Sequence, residues 1–187
     1  MSKYVFAEAV AGKLFCPLDG PENIDLSARI ALQPWPSNVA FRMNPNFPKM
    51  VRIADWAKTM RGVIVASPKL KALIEAERPA DVEYLPITIF DHKGRMATSE
   101  HFVINPYHLR DAIDKDASKL RWNAIDPEKI SGVGEMIIKE SLIPHDAKIF
   151  RLKHFSNAVM LTRELAGSIE AAGISGVDFT EIEDIEA

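Results

Sequence analysis

Cysteine is almost absent from this chain: Cys16 is the only one in 187 residues. An intrachain disulfide framework and a cysteine-rich zinc site are both excluded on that count. Cys16 reads as an ordinary thiol in a proline-flanked turn, and a lone cysteine fits a reducing compartment. A large charge excess is missing too. There are 23 basic and 26 acidic side chains, for a net charge of −3, so a nucleic-acid binder driven by positive charge is not expected. Apolar runs are short. None approaches the roughly 18–20 residues of a membrane helix. Glu8 and Lys13 break the first stretch before it reaches the apolar core of a secretory signal, about 7–15 residues. The expectation is a soluble, cytoplasmic chain with no membrane partner.

Catalytic patterns are also lacking. The five histidines are His92, His101, His108, His145 and His154, and no two stand at the helical i, i+4 spacing of a zinc protease. Gly132-Val133-Gly134 has no third glycine or lysine where a phosphate loop needs one, and reads as a turn. No serine sits in a nucleophile elbow. Asp114 and Asp116 lack the further ligands and the glycine of a calcium loop. No catalytic, cofactor-binding or metal residue is named on this basis, and no cofactor is expected. An enzyme or small-ligand binder would have to gather His101, His108 or His154 with acids around a concave pocket.

What is present is an ordinary globular mixture, 47% apolar and 26% charged. Its length fits one domain, with or without an attached lobe. Proline is dense in residues 1–50, at Pro17, Pro21, Pro34, Pro36, Pro45 and Pro48. Each fixes φ and removes a backbone donor, which predicts a loop-rich N-terminal lobe with short strands at Tyr4–Ala9 and Val39–Met43. Residues 51–187 form the more regular α+β part. There Val63–Ala66 reads as a buried strand, Ser67-Pro68 as a helix cap and first turn, and Leu70, Leu73 and Ile74 as a helical stripe. Val82–Phe90 and Ser99–Asn105 form a hairpin around Asp91–Gly94.

The same sequence of signals returns near the C-terminus. Ala158–Leu161 is the apolar run, Thr162 the cap, Leu165, Ile169 and Ala172 the stripe, Gly173 the stop, and Val177–Ile182 the closing strand. The two stretches align without a gap at an offset of 95 residues, including an identical Ile-Glu-Ala at 74–76 and 169–171. The reading is an internal repeat, about 63–90 and 158–185, each a strand–helix–strand unit. Between them, Ala112–Asp114, Glu135–Ile138 and Lys148–Leu152 predict further β structure. The fold class is therefore α+β, with mixed or antiparallel sheets, two repeated units and a proline-rich N-terminal lobe.

Charge is unevenly placed. From Glu164 to the end there are seven acids (Glu164, Glu170, Asp178, Glu181, Glu183, Asp184, Glu186) and no lysine or arginine, so residues 1–163 carry +4. Such a field can steer a basic partner. Glu181, Glu183 and Asp184 are the expected partner-binding acids. Of Trp35, Trp56 and Trp122, the last follows Lys119-Leu120-Arg121 in a loop-like stretch and is the expected aromatic anchor.

The order of motifs resembles a known family. Val65-Ala66-Ser67-Pro68-Lys69-Leu70 is followed by Val82-Glu83-Tyr84-Leu85-Pro86-Ile87, His92-Lys93-Gly94 and Phe102-Val103-Ile104-Asn105. Ile125-Asp126-Pro127-Glu128-Lys129-Ile130, Ile149-Phe150-Arg151-Leu152 and Gly173-Ile174-Ser175-Gly176-Val177-Asp178-Phe179 complete the series. Over about Val51 to Ile182 this is similar to the immunity-protein-eleven type of polymorphic-toxin immunity proteins, once a family of unknown function. Its members are classed mainly from genes lying beside toxin genes. The resemblance implies a non-enzymatic cytoplasmic protein that binds and neutralises a cognate toxin domain delivered by neighbouring cells. A subunit that works as a homo-oligomer, with a large apolar self-association patch, is a further possibility.

Overall fold

The computed structural model describes residues 2–185 apart from 22, 23, 25, 27–29 and 61. Two nine-residue helices, α1 (Pro68–Ala76) and α2 (Arg163–Ala171), begin alike. Ser67 Oγ accepts from Leu70 N and Thr162 Oγ1 from Leu165 N, each at 3.3 Å. Each hydroxyl satisfies one of the donors that a helix start leaves open. Helices this short are marginal alone. They are held by burying Leu70 and Ile74 in one and Leu165, Ala166 and Ile169 in the other, at roughly 1.5–3 kcal/mol for each large side chain.

Among the described residues there are thirteen strands. In chain order they are β1 (Tyr4–Ala9), β2 (Leu18–Asp19), β3 (Ala40–Met43), β4 (Trp56–Ala57), β5 (Ile64–Ala66), β6 (Val82–Phe90), β7 (Met96–Pro106), β8 (Leu109–Arg110), β9 (Lys119–Trp122), β10 (Ile130–Glu135), β11 (Ile149–Leu152), β12 (Phe155–Thr162) and β13 (Val177–Glu181). They form a six-stranded sheet, β2-β3-β6-β7-β5-β4, a five-stranded sheet, β13-β1-β12-β11-β8, and the hairpin β9-β10. The mixture of antiparallel pairs with the parallel pairs β3–β6 and β8–β11 is the α+β arrangement expected from the sequence.

The central core takes side chains from both sheets and both helices, including Val5, Trp56, Ile64, Ile104, Val159 and Leu161. The far face of the six-stranded sheet buries Phe41, Val65, Leu85 and Ile89 beneath the proline-rich segment, with Cys16 and Leu18. The far face of the five-stranded sheet buries Phe150, Leu152 and Met160 beneath residues of the 112–147 region and Ile182 and Ile185. Within residues 1–50, β1 runs inside the five-stranded sheet and β3 extends the other.

The two strand–helix–strand stretches follow one path. β5 and β6 run in the same direction with β7 antiparallel between them; β12 and β13 do likewise around β1. The registers correspond as well. Ile64 faces Ile104 and Val82 faces Pro106, as Val159 faces Ala7 and Val177 faces Ala9. Even the left-handed residues fall at the same offset: Arg78 and Asp81 in the first, Gly173 and Gly176 in the second. The outer strands β4 and β11 pair antiparallel with β5 and β12. Each stretch thus lies among four strands with one helix, β1 standing in the second where β7 stands in the first.

Several local expectations are corrected. Lys119–Trp122 and Gly132–Gly134, read as loop and turn, are paired strands. Two glycines erase the alternation that marks a strand. The exposed Arg121 guanidinium lies over Gly132, where a Cβ would stand. Ala112–Asp114 and Glu135–Ile138 are mostly irregular, joined by a single bridge between Ile113 and Ile138.

Candidate functional site

The acidic end is built by three elements. The Thr162 cap starts α2 at Arg163, Gly176 turns the chain into β13, and a short turn at Ile182–Asp184 folds the end back over the sheet through buried Ile182. Gly176 has φ +86°, and a Cβ there would collide with Ala54 Cβ and the Trp56 carbonyl. β13 pairs on one side with β1, placing Glu8 directly opposite Asp178. Both side chains are exposed and share one face.

The predicted acids divide by role. Arg163 Nη1 and Nη2 donate to Glu181 Oε1 and Oε2, each at 2.6 Å, while Arg163 also donates to the Ser2 carbonyl. This fork holds the Glu181 carboxyl below the usual carboxylate range and raises Arg163 further. Glu181 is therefore tied into the fold. Glu183 and Asp184 are exposed on the turn after it. Glu164 lies 4.0 Å from Lys148, so cations from distant segments offset part of the field. Glu186 lies outside the described residues.

Trp122 stands apart from Glu181. It is 37% exposed on β9, edge-to-face with His154 (centroids 5.5 Å) and under Lys115. His154 precedes Phe155 at one end of β12, whereas Glu181 is level with Val5 and Leu161 near the other. Along β12 alone that is roughly 20 Å. The nearby hairpin tip is firm. Asn123 Oδ1 accepts from the Ile125 and Asp126 amides at 2.8 and 3.0 Å, and Ile125 is left 96% exposed.

A groove of about 530 Å³ opens between β1, β12 and the β4–β5 end, with Phe6, Glu8, Trp56, Phe155, Thr180 and Asp184 among its lining. None of the histidines lines it. His101 is 3.5 Å from Thr98 Oγ1, with burial lowering its basicity. His108 faces Asp81 at 3.5 Å, and His154 sits between Lys115 and the Glu128 carbonyl. They are not gathered at one pocket. Among the described residues no group of three or more His, Cys, Asp or Glu side chains is placed to hold a metal.

Sequence reasoning missed the carboxylate pair Glu8–Asp178, because its members stand at opposite ends of the chain. It also missed Asp55. Asp55 Oδ1 accepts from Ser67 Oγ at 2.7 Å, and Oδ2 accepts from Ser175 Oγ and N at 2.8 and 3.1 Å. Burial acts to raise this carboxyl, but the hydroxyl and amide donors outweigh it and leave the group below its ordinary value. Asp55 thereby joins the α1 cap to the loop after α2, and Lys69 Nζ adds a bond to the Ala172 carbonyl at 2.7 Å.

No helix among the described residues is long and apolar enough to cross a membrane. No curated protein matches the chain. A model described as "Immunity protein family (Imm11)" matches residues 16–184. That match takes in both helices and most of the proline-rich stretch, beyond the span on which the sequence resemblance was read.

Proposed function

Because this chain belongs to the Imm11 immunity protein family, we propose that it neutralises a cognate bacterial toxin by binding it, with no catalysis of its own. The family match over most of the chain carries this reading. The protein would act in the cytoplasm of the cell it protects, where it meets an incoming toxin domain. An inhibitor of a catalyst must bind at about nanomolar strength or better, near −12 kcal/mol. Such strength comes from pre-organised anchors and from charge that guides encounter.

The acidic end supplies that charge: Glu183 and Asp184 are exposed on the turn that buried Ile182 anchors. Glu181 contributes through the position it fixes for Arg163. Trp122, with Ile125 beyond it on the hairpin, is a separate aromatic and apolar contact.

The experiment is co-expression of this chain with the toxin domain encoded beside its gene, followed by binding of the purified pair. Growth is expected to be restored and a one-to-one complex to form. Glu183→Lys with Asp184→Lys, which spares the Glu181–Arg163 fork, is expected to slow association about tenfold at low salt. Killing that proceeds whether or not the chain is present would remove the reading; an unchanged on-rate would move the interface away from this end.

A further inference from the structure

The two repeats treat the same sheet edge differently. In the first, residues 32–42 run along the outer side of β6. Glu83 accepts from the Leu32 amide at 3.1 and 2.9 Å and from the Gln33 amide at 3.2 Å, and Asn105 Nδ2 donates to Glu83 at 2.8 Å. Trp35 Nε1 donates to the Pro86 carbonyl at 2.8 Å. Thr88 N donates to the Val39 carbonyl at 3.0 Å, and Ala40–Arg42 then pair in parallel with Thr88–Phe90.

In the second repeat no described residue pairs with the equivalent edge. Val10 N donates to the Gly176 carbonyl at 2.9 Å. Hydrogen-bonded pairs alternate along an antiparallel ladder, so Asp178 and Thr180 turn their backbone groups to β1. Those of Val177, Phe179 and Glu181 point outward, where no described residue pairs with them. Asp178 takes the place of Glu83, and Glu8 that of Asn105. Both are exposed, and neither carboxylate makes a hydrogen bond or ion pair with another described side chain or backbone group.

We propose that the outward edge of β13 is the toxin-docking element, and that its occupant is an extended, basic segment of the toxin lying along it as residues 32–42 lie along β6. This rests on the immunity reading above. Main-chain bonds to an open edge are a common mode of peptide capture, with side chains setting the partner. Here the side chains set the sign. Where the first repeat sets one carboxylate, Glu83, against the Asn105 amide, the second sets Glu8 and Asp178 face to face, and Glu183 and Asp184 continue the negative charge past the strand end. A lysine or arginine on the incoming segment relieves that repulsion. A second copy of this chain would bring the same acids to the same edge, which is how proteins keep like edges apart.

The test uses the full chain and an inactivated form of the toxin domain encoded beside it. Backbone amide exchange is followed residue by residue, free and bound. The amides of Val177, Phe179 and Glu181 are expected to exchange freely in the free chain and to slow about tenfold or more in the complex, while Asp178 and Thr180 are protected in both. Glu8→Gln with Asp178→Asn is expected to weaken binding about tenfold at low salt without lowering the melting temperature. A complex in which the three outward amides still exchange freely, or one indifferent to the double variant, overturns this docking mode and leaves neutralisation intact. Absence of both complex and cell protection overturns both.

Discussion

The first repeat receives its strands in one run, β4 to β7, whereas the second must wait for β1, the first strand of the chain, to slot between β12 and β13. The units share caps, stripes, registers and left-handed turns, so their local physics is the same. Their difference lies in what chain is at hand. The first is built from near neighbours and has residues 32–42 to spare for its edge. The second joins β1 to β12 and β13 across more than 140 residues of chain, at the larger entropy of a long loop, and no described residue pairs with its outer edge. Two units of similar strand order thus sit differently: residues 32–42 cover the edge of one, and no described residue pairs with the edge of the other.

Core truncation gives the largest effect. Leu70→Ala and Leu165→Ala remove equivalent, fully buried side chains from one shared core. Each is expected to cost about 2–5 kcal/mol, and thermal melts should place the two within about 1 kcal/mol of each other. A much milder Leu165→Ala would mean that the second unit is loosely packed and the symmetry only topological.

The left-handed positions sharpen the contrast. Asp81 (φ +58°) carries a side chain that accepts from Arg110 Nη2 at 2.6 Å, while its counterpart Gly176 has no room for a Cβ. Gly176→Asp is expected to destabilise by about 3 kcal/mol or more through steric displacement of the Ala54–Trp56 segment. Asp81→Gly loses one charged hydrogen bond, at about 1.5–3 kcal/mol. Denaturant midpoints compare them directly.

Asp55→Ala removes the acceptor that joins the repeats and leaves Ser67 and Ser175 without it; a loss of about 2–3 kcal/mol is expected. The same variant should speed amide exchange in both helices at once. Exchange confined to α1 would show the halves to be uncoupled there.

The smallest effect concerns the ion pair that the second repeat has and the first does not. Arg163 and Glu181 stand where the first repeat has Pro68 and Pro86. Glu181 has a lowered folded pKa. Its contribution is present above the unfolded value of about 4.3 and is lost as pH falls through the folded value. Melting temperature measured from pH 6 down to pH 3 should fall less steeply in Glu181→Gln than in the parent. Identical slopes would mean the pair adds nothing.

Pro86 illustrates how far a sequence reading reaches. A proline inside Val82–Phe90 is compatible with a strand because position 86 faces outward, away from β7, where no ladder donor is needed. The strand is legible in its β-branched residues. That its outer edge is then covered by residues 32–42 is not. The hairpin at 119–135 is not legible for a similar reason: Gly132 and Gly134 carry no side-chain signal, and their strand is defined by its pairing with Lys119–Trp122. Of the candidate site, the acids Glu183 and Asp184 could be read from local composition. The Glu8–Asp178 pair and the Arg163–Glu181 fork could not.

The sequence by itself determined what depends on neighbours in the chain. The Ser67 and Thr162 caps, the Leu70–Ile74 and Leu165–Ile169 stripes, the turn at Gly94 and the repeat at an offset of 95 all act over a few residues, within reach of local sterics and hydrogen bonds. Tertiary structure alone decided which strand fills each unit, which carboxylates meet, and which edge is left open. Those outcomes depend on burying two sheets against a shared pair of helices, a choice made between segments more than 100 residues apart, over which no local preference extends.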